Sequence, residues 1–402
     1  MNRVLLINVT CGKGSTGKIV TGIYDSLTSH GDECMIAYGR YDAPAGYNAY
    51  RIGSELDVRI HGAISRITDK QGLYSILATK RLIKKIEEFK PDIVHMHNIH
   101  GYYLNYKLLF EYLYKSKTKV FWTLHDCWAL TGHCTHFEFI NCKSYKNSCG
   151  NCPQLKEYPK SLLCDASSKN HKLKHELFSR MEGMQLITPS EWLRDIMKDS
   201  FMGKYPIAVV PTGINLEVFR PTQSDLRDKY NIKDKFVILG VANPWRERKG
   251  LYEFIELANK LEDKYKIVLI GLNEEQKKLL PEKILGLGKT DSIEQMAQWY
   301  SVADVYANLT LEDTFPTTNI ESLACGTPVI TYKVGGSAES IDEKTGYAVD
   351  KCDLSAVISC IEKIEKNEID TKDCIERSKL YAAQLRFEQY YSEVYKPYEK
   401  AL

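Results

Sequence analysis

The sequence predicts an α/β fold of two Rossmann-like domains facing across a cleft, and three observations carry that expectation. The chain has 402 residues, more than one ordinary core accommodates, so two or three domains are expected. Short apolar runs that read as buried strands recur along it, among them RVLLINV at 3–9, KFVILGV at 235–241 and KIVLIG at 266–271. The first two lead through glycine-containing loops into helical patterns, GKGSTGK at 12–18 and NPWRERKGL at 243–251.

Composition narrows the class. Hydrophobic residues make up 44% and charged residues 26%, as in soluble globular proteins. A net charge of +2 gives no field that would argue for nucleic acid as a partner. No apolar run approaches the ~18 residues a bilayer span needs. The start, MNRVLLINVTCGKG, reads as a first strand and not as a signal peptide. Twelve cysteines without a secretory signal point to a reducing cytoplasm and to thiols or a metal.

Taken in order, strand 3–9 enters a helix with Ile19, Val20, Ile23 and Leu27 on one face, ended at Gly31. The loop between them, with Gly12, Gly17 and Lys18, fits a Walker-type phosphate loop except at its last position. There Ile19 replaces the hydroxyl that would hold Mg²⁺. A tight turn needing glycine fits equally well. Residues 41–75 give no clear pattern. The helix KRLIKKIEEF at 80–89 carries Lys80, Arg81, Lys84 and Lys85, a solvated face or a membrane-surface contact. PDIVHMH at 91–97 is a strand ending in His95 and His97, with His100 beyond; cleft lining is favoured over metal binding. The strand at 120–124 delivers His125 and Asp126 at its carboxyl end, where open α/β sheets bind ligands. Next comes a cysteine-rich insertion, 127–164, with Cys134, Cys142, Cys149 and Cys152. Their spacing, one Cys-x2-Cys knuckle plus two more thiols, suits a structural zinc; free thiols or a disulfide are the competing readings. LITP at 186–189 is a strand, and Ser190 caps the helix after it.

The segment 308–341, NLTLEDTFPTTNIESLACGTPVITYKVGGSAESI, reads as strand, loop, helix, strand, loop, helix. Pro316 suits the first helical turn, Ile320, Leu323 and Ala324 form its apolar stripe, and Gly326 stops it. Helix starts after Phe315 and after Gly336 would present free N–H groups to an anion. Asp313 and Glu321, eight residues apart, are poor phosphate ligands but good acceptors for sugar hydroxyls. A pyrophosphate flanked by hydroxyl-rich groups is a nucleotide sugar.

These residues resemble the donor-site signature of family-4 retaining glycosyltransferases of the GT-B fold: Glu-x7-Glu, then ACGTPV, then a Gly-Gly loop. Asp313 stands at the first glutamate position. HDCWALTGHC and CGNCP in the insertion resemble the colanic-acid-type subgroup of bacterial polysaccharide glycosyltransferases. The resemblance implies an acceptor-side domain at 1–210 and a donor domain at 219–385. It also implies a C-terminal helix, 386–402, crossing back to the first domain and kinked at Pro397. By the same resemblance His125 faces the transferred sugar. Lys249, with Arg248 or Arg246 supplying a guanidinium, clamps the pyrophosphate beside the backbone of the Phe315, Pro316, Thr317 and Thr318 stretch, whose N–H groups face it. Glu321 accepts from ribose hydroxyls and Asp313 from the donor sugar. Gly14, Gly335 and Gly336 belong to loops facing the donor. The implied reaction moves a sugar from a UDP- or GDP-sugar to a carbohydrate or lipid-linked acceptor in surface polysaccharide biosynthesis, with configuration retained. No cofactor is implied for catalysis, since no Asp-x-Asp motif occurs. The expected place is the cytoplasm, at the inner face of the membrane. A glycoside hydrolase, a Walker-type nucleotide-binding protein and a non-catalytic partner of another transferase are the rival readings.

Overall fold

The structure, a computed structural model, describes residues 1–399; the last three positions of the expected C-terminal helix, 400–402, lie outside the described residues. The chain divides into two units, Met1–Pro211 with the segment from Arg386 onward, and Thr212–Leu385.

The first unit is built on seven parallel strands: β1 (Arg3–Thr10), β2 (Glu33–Arg40), β3 (Ala49–Arg51), β4 (Ile93–Met96), β5 (Lys119–Thr123), β6 (Gln185–Thr188) and β7 (Ile207–Val209), in the order β3-β2-β1-β4-β5-β6-β7. Strands covered on both faces read as unbroken apolar runs, and β1 and β4 are buried almost throughout. One face packs α1 (Gly14–Ser29), with Val20, Ile23 and Leu27 against Val4, Leu6 and Ile36. The C-terminal segment shares that face through Tyr390, Val394 and Tyr395. The other face carries α2 (Glu55–Thr68), α3 (Ile76–Phe89), α4 (Tyr106–Ser116) and α5 (Ser167–Phe178), filled by Phe110, Trp122, Trp128 and Phe178. A sixth helix, α6 (Glu191–Lys198), starts at Ser190, whose side chain accepts from Leu193 N–H as expected of its cap. In the unread stretch, α2 begins with a full capping box between Ser54 and Asp57.

The second unit has six parallel strands: β8 (Phe236–Val241), β9 (Tyr265–Ile270), β10 (Ile284–Leu287), β11 (Val305–Asn308), β12 (Val329–Tyr332) and β13 (Gly346–Val349), in the order β10-β9-β8-β11-β12-β13. Its principal helices are α7 (Leu251–Lys260), α8 (Ile293–Val302), α9 (Thr317–Ala324), α10 (Leu354–Glu365) and α11 (Thr371–Lys379). Both sheets reverse their winding once, between β1 and β4 and between β8 and β11. Open α/β sheets bind ligands beyond the carboxyl ends of the strands at that point.

Three local expectations change. The Gly335-Gly336 loop opens only a 3₁₀ turn, Ser337–Ser340, not a helix. NPWRERKGL makes a 3₁₀ turn, Glu247–Lys249, before α7 begins beyond Gly250. The C-terminal run is a helix over Ala383–Gln389, a π-helical turn over Tyr390–Tyr395 and a last turn from Lys396. Lys396 N–H reaches back to Tyr391 O, and Pro397, with no N–H, leaves the carbonyl four residues earlier without its helical donor.

Candidate active site

In the second unit, the loop after β8 and the loop after β11 leave the sheet at its switch point. Gly250 and Gly335 hold the β11 loop from two sides. Both have left-handed backbones, φ +78° and +54°, and a Cβ on either would run into Leu309 O or Asp313 O. Leu311 N–H donates to Arg248 O at 2.7 Å, and Gly336 N–H to Asp313 O at 3.1 Å. That clasp sets two acids against two bases. Lys249 Nζ lies 2.5 Å from Asp313 Oδ2, and Arg248 Nε lies 3.9 Å from Glu312 Oε1. Glu312 is only 2% exposed, whereas Lys249 and Asp313 are partly open to solvent.

Beyond this loop Pro316 occupies the cap position of α9 and not its first turn. Thr317 and Thr318 supply the first-turn N–H groups, which a helix cannot satisfy internally. Phe315 differs from expectation: its N–H already donates to Asp313 Oδ1 at 3.2 Å. Gly336 differs likewise, because its N–H is spent on the clasp. Glu321 stands one turn into α9, half-buried, and accepts from Tyr300 OH at 3.0 Å and Thr317 OH at 3.3 Å. Asn319, buried behind it, ties Asn308 to Ser337 O and Ser340 through both ends of its amide. Sequence reasoning missed Asn319, Tyr300 and the burial of Glu312. Only the Asn in FPTTNIES, an odd residue between apolar helix positions, signalled any of them.

In the first unit, Gly14 opens α1 with φ +71°. Gly17 and Lys18 therefore lie inside the helix's first turns, and no long loop wraps a phosphate as a Walker reading requires. His125 follows β5 and His97 follows β4; His97 Nδ1 and His125 Nε2 are 3.1 Å apart. Burial pushes His125 down to about 4 against the pull of the Asp126 carboxylate, so it is neutral at pH 7. Burial works to raise Asp126, but the His100 ring overrides it and leaves the carboxyl at about 2. His100 Nε2 meets Asp126 Oδ2 at 2.9 Å, and its Nδ1 meets Tyr158 OH of the insertion at 3.2 Å. His95 is a core group, pushed down to about 3 by burial and paired with Tyr395 OH and Thr123 Oγ1. His97, His100 and His125 line one small pocket with Asp126 at the carboxyl ends of β4 and β5, whereas His95 does not.

The insertion brings Cys134, Cys142, Cys149 and Cys152 around one small pocket with Phe137 and Tyr145. All four are free thiols, and the Cys134 thiol hydrogen-bonds Cys152, which draws Cys152 below the usual thiol range. Gly132 N–H donates to Cys149 Sγ at 3.3 Å. Among the described residues, however, no group of three or more His, Cys, Asp or Glu side chains could hold a metal ion. The buried Lys174 ammonium lies close by, bonded to Trp128 O and Thr131 O.

Two Rossmann-like units, each a parallel sheet with one switch point, are the components of the GT-B fold class. The comparisons agree. Residues 17–218 match the profile of Glycosyltransferase Family 4, and 222–381 that of Glycosyl transferases group 1. The chain belongs to glycosyltransferase family 4. It is 26% identical over 273 residues to WcaC of Escherichia coli (strain K12), whose name gives it as a glycosyl transferase of colanic acid biosynthesis. The match covers 64% of either chain. Over 168 residues it is 31% identical to an alpha-monoglucosyldiacylglycerol synthase of Streptococcus pneumoniae, covering 37% of each. Among solved structures, a sucrose-phosphate synthase of Thermosynechococcus elongatus superposes over the whole of both chains with TM-score 0.73 at 16% identity. HepE of Anabaena, solved with UDP and glucose, gives 0.66 at 13% identity, covering 98% of this chain and 100% of its own. At such identities these likenesses show the fold.

Proposed function

We propose that the chain is a retaining glycosyltransferase that moves a sugar from a nucleotide sugar to a carbohydrate or lipid-linked acceptor in surface polysaccharide biosynthesis. The observation that carries it is the loop clasped by Gly250 and Gly335, which sets Lys249 on Asp313 beside the start of α9. In the reading, the donor pyrophosphate takes Lys249 and Arg248 away from their carboxylates, and the first-turn N–H groups of Thr317 and Thr318 share its charge. Glu321, already an acceptor of two hydroxyls, accepts the ribose hydroxyls. Asp313, released by Lys249, accepts from the donor sugar. Transfer forms the bond from the acceptor oxygen to the anomeric carbon as the bond to the phosphate oxygen breaks. The acceptor proton passes to that departing phosphate on the same face, and Lys249 stabilises the charge that develops.

That HepE was solved with UDP favours a uridine donor. Lipid-linked acceptors draw support from a relative named as an undecaprenol-linked N-acetylgalactosaminyltransferase of Campylobacter jejuni. Among the described residues no helix is long and apolar enough to cross a membrane, so contact with a lipid-linked acceptor would be made from the surface. The surface of α2 offers an anionic bilayer apolar side chains as well as charge. Leu56, Ile60 and Ile67 stand outward, 65%, 50% and 48% exposed, with Arg59 and Arg66 exposed on the same helix. On α3, Lys85 is turned to Glu88 at 3.3 Å.

A thermal-shift panel of UDP-, GDP- and ADP-sugars tests the donor. The matching base at a hundred times its dissociation constant should stabilise the protein by roughly 2.7 kcal/mol. No shift with any of them rejects the reading. Binding without transfer to any acceptor leaves a non-catalytic partner instead.

A further inference from the structure

His97 is a buried group to which the reaction above gives no work. Its ring is 1% exposed and stacks on His125 with centroids 5.4 Å apart and planes 19° off parallel. The backbone behind it is pinned, since its N–H donates to Ile7 O at 2.9 Å and its carbonyl accepts Trp122 Nε1–H at 3.0 Å. Among the described residues His97 Nε2 has no hydrogen-bond partner, so its single polar contact is Nδ1 to His125 Nε2.

Burial, and after it the neighbouring His95 and His125, hold His97 well below the ordinary histidine range. Both rings are therefore neutral near pH 7, and the contact between them contains one proton. It can be arranged in two ways. If His125 donated from Nε2, His97 would carry its own proton on Nε2, a buried N–H aimed at no acceptor, which folded proteins seldom keep. If His97 donates from Nδ1, its Nε2 holds only a lone pair and His97 keeps no buried N–H without an acceptor.

We propose that His97 is a positioning residue: by donating Nδ1–H to His125 Nε2 it holds His125 in the Nδ1–H tautomer. The hydrogen bond made by one ring nitrogen sets what the other can do. With its Nε2 lone pair filled, His125 meets a ligand as a hydrogen-bond donor and cannot take a proton from it. A donor is what a sugar hydroxyl oxygen needs if the departing phosphate serves as the base. That last step rests on the transferase reading; the tautomer does not.

The test is long-range proton–nitrogen NMR on protein labelled at histidine nitrogen, with His125 assigned by its loss in a His125→Asn variant. Wild-type His125 should show a protonated Nδ1 and a bare Nε2. His97→Phe, which keeps the ring and removes the nitrogens, should release His125 to its Nε2–H or mixed form, while His97→Asn, which retains a donor, should restore Nδ1–H. A wild-type His125 protonated at Nε2, or one unmoved by His97→Phe, overturns the proposal. If His97→Phe fails to fold, the wild-type tautomer and the His97→Asn spectrum still decide it. In turnover, His97→Phe should lower kcat roughly tenfold with donor KM held, and His97→Asn should recover most of it. If no nucleotide sugar is turned over, the transferase reading fails while the spectra still judge the tautomer.

Discussion

At the residue scale, the site makes sharp demands on a few atoms. If Lys249 meets the departing phosphate as proposed, Lys249→Ala should lower turnover ~10²-fold or more. A steady-state assay showing near-normal kcat would reduce Lys249 to a structural partner of Asp313. Glu321→Ala should weaken nucleotide-sugar binding by about 1.5–3 kcal/mol, the worth of a hydrogen bond to a charged group; calorimetry against the free nucleotide measures it. Gly335→Ala must push Asp313 O aside and hold a left-handed backbone, so both stability and donor binding should drop. A variant that melts and binds like the parent would show that the clasp has slack. The segments that carry Lys249, Glu321 and the glycines were legible because their turn and helix signals are local to the motif. The engagement of Phe315 N–H by Asp313 was not, because a carboxylate two residues away can turn toward its own backbone or toward a ligand, and spacing does not distinguish the two.

Legibility changes at the scale of elements. Strands β1, β4, β5, β6, β8, β9 and β12 were readable as apolar runs because each is buried on two faces, whereas β2, β3 and β13 went unread. Helix α6 was readable from Ser190. By contrast, α2 was invisible. Its buried positions are Val58, His61 and Ser65, while Leu56, Ile60 and Ile67 face outward, so the apolar period points the wrong way. That inversion also makes the helix informative. Replacing Leu56 and Ile60 together with Glu should leave the melting temperature near its parent value, since both side chains are exposed. Sedimentation with vesicles containing anionic lipid should fall sharply, and unchanged binding would move the contact elsewhere. The cysteine loop is a different case. Thiol spacing reports which residues a short loop can gather, and Cys134, Cys142, Cys149 and Cys152 do gather around one pocket. Elemental analysis of chelator-free protein separates the two readings: one equivalent of zinc supports the structural metal site, whereas four reduced thiols titrating in native protein, with Cys152 alkylated first because Cys134 donates to it, reject it.

For the whole molecule, the division into 1–211 with the tail and 212–385 puts the clasped acid–base loop and the histidine cluster in different units. All ten histidines of the chain lie in the first of them. Five are held down by burial: His61 and His125 at about 4, His95 at about 3, His97 well below its ordinary value, and His171 below it. The sign follows directly. Their neutral forms are bound up in the native state, so they add stability above the unfolded value near 6.5 and lose it as pH falls toward their folded values. For the fully buried His61 alone the loss by pH 4 is roughly 3 kcal/mol. The second unit carries no imidazole that could report or respond over that interval. Mild acid should therefore act on this chain as a selective solvent. Between about pH 6.5 and 4 a scanning calorimeter should see one endotherm separate into two, the earlier belonging to the β1–β7 sheet. Amide exchange should quicken in β4 and β5 while β8 and β11 stay protected, and a single endotherm sliding down intact would mean that the two stretches melt as one.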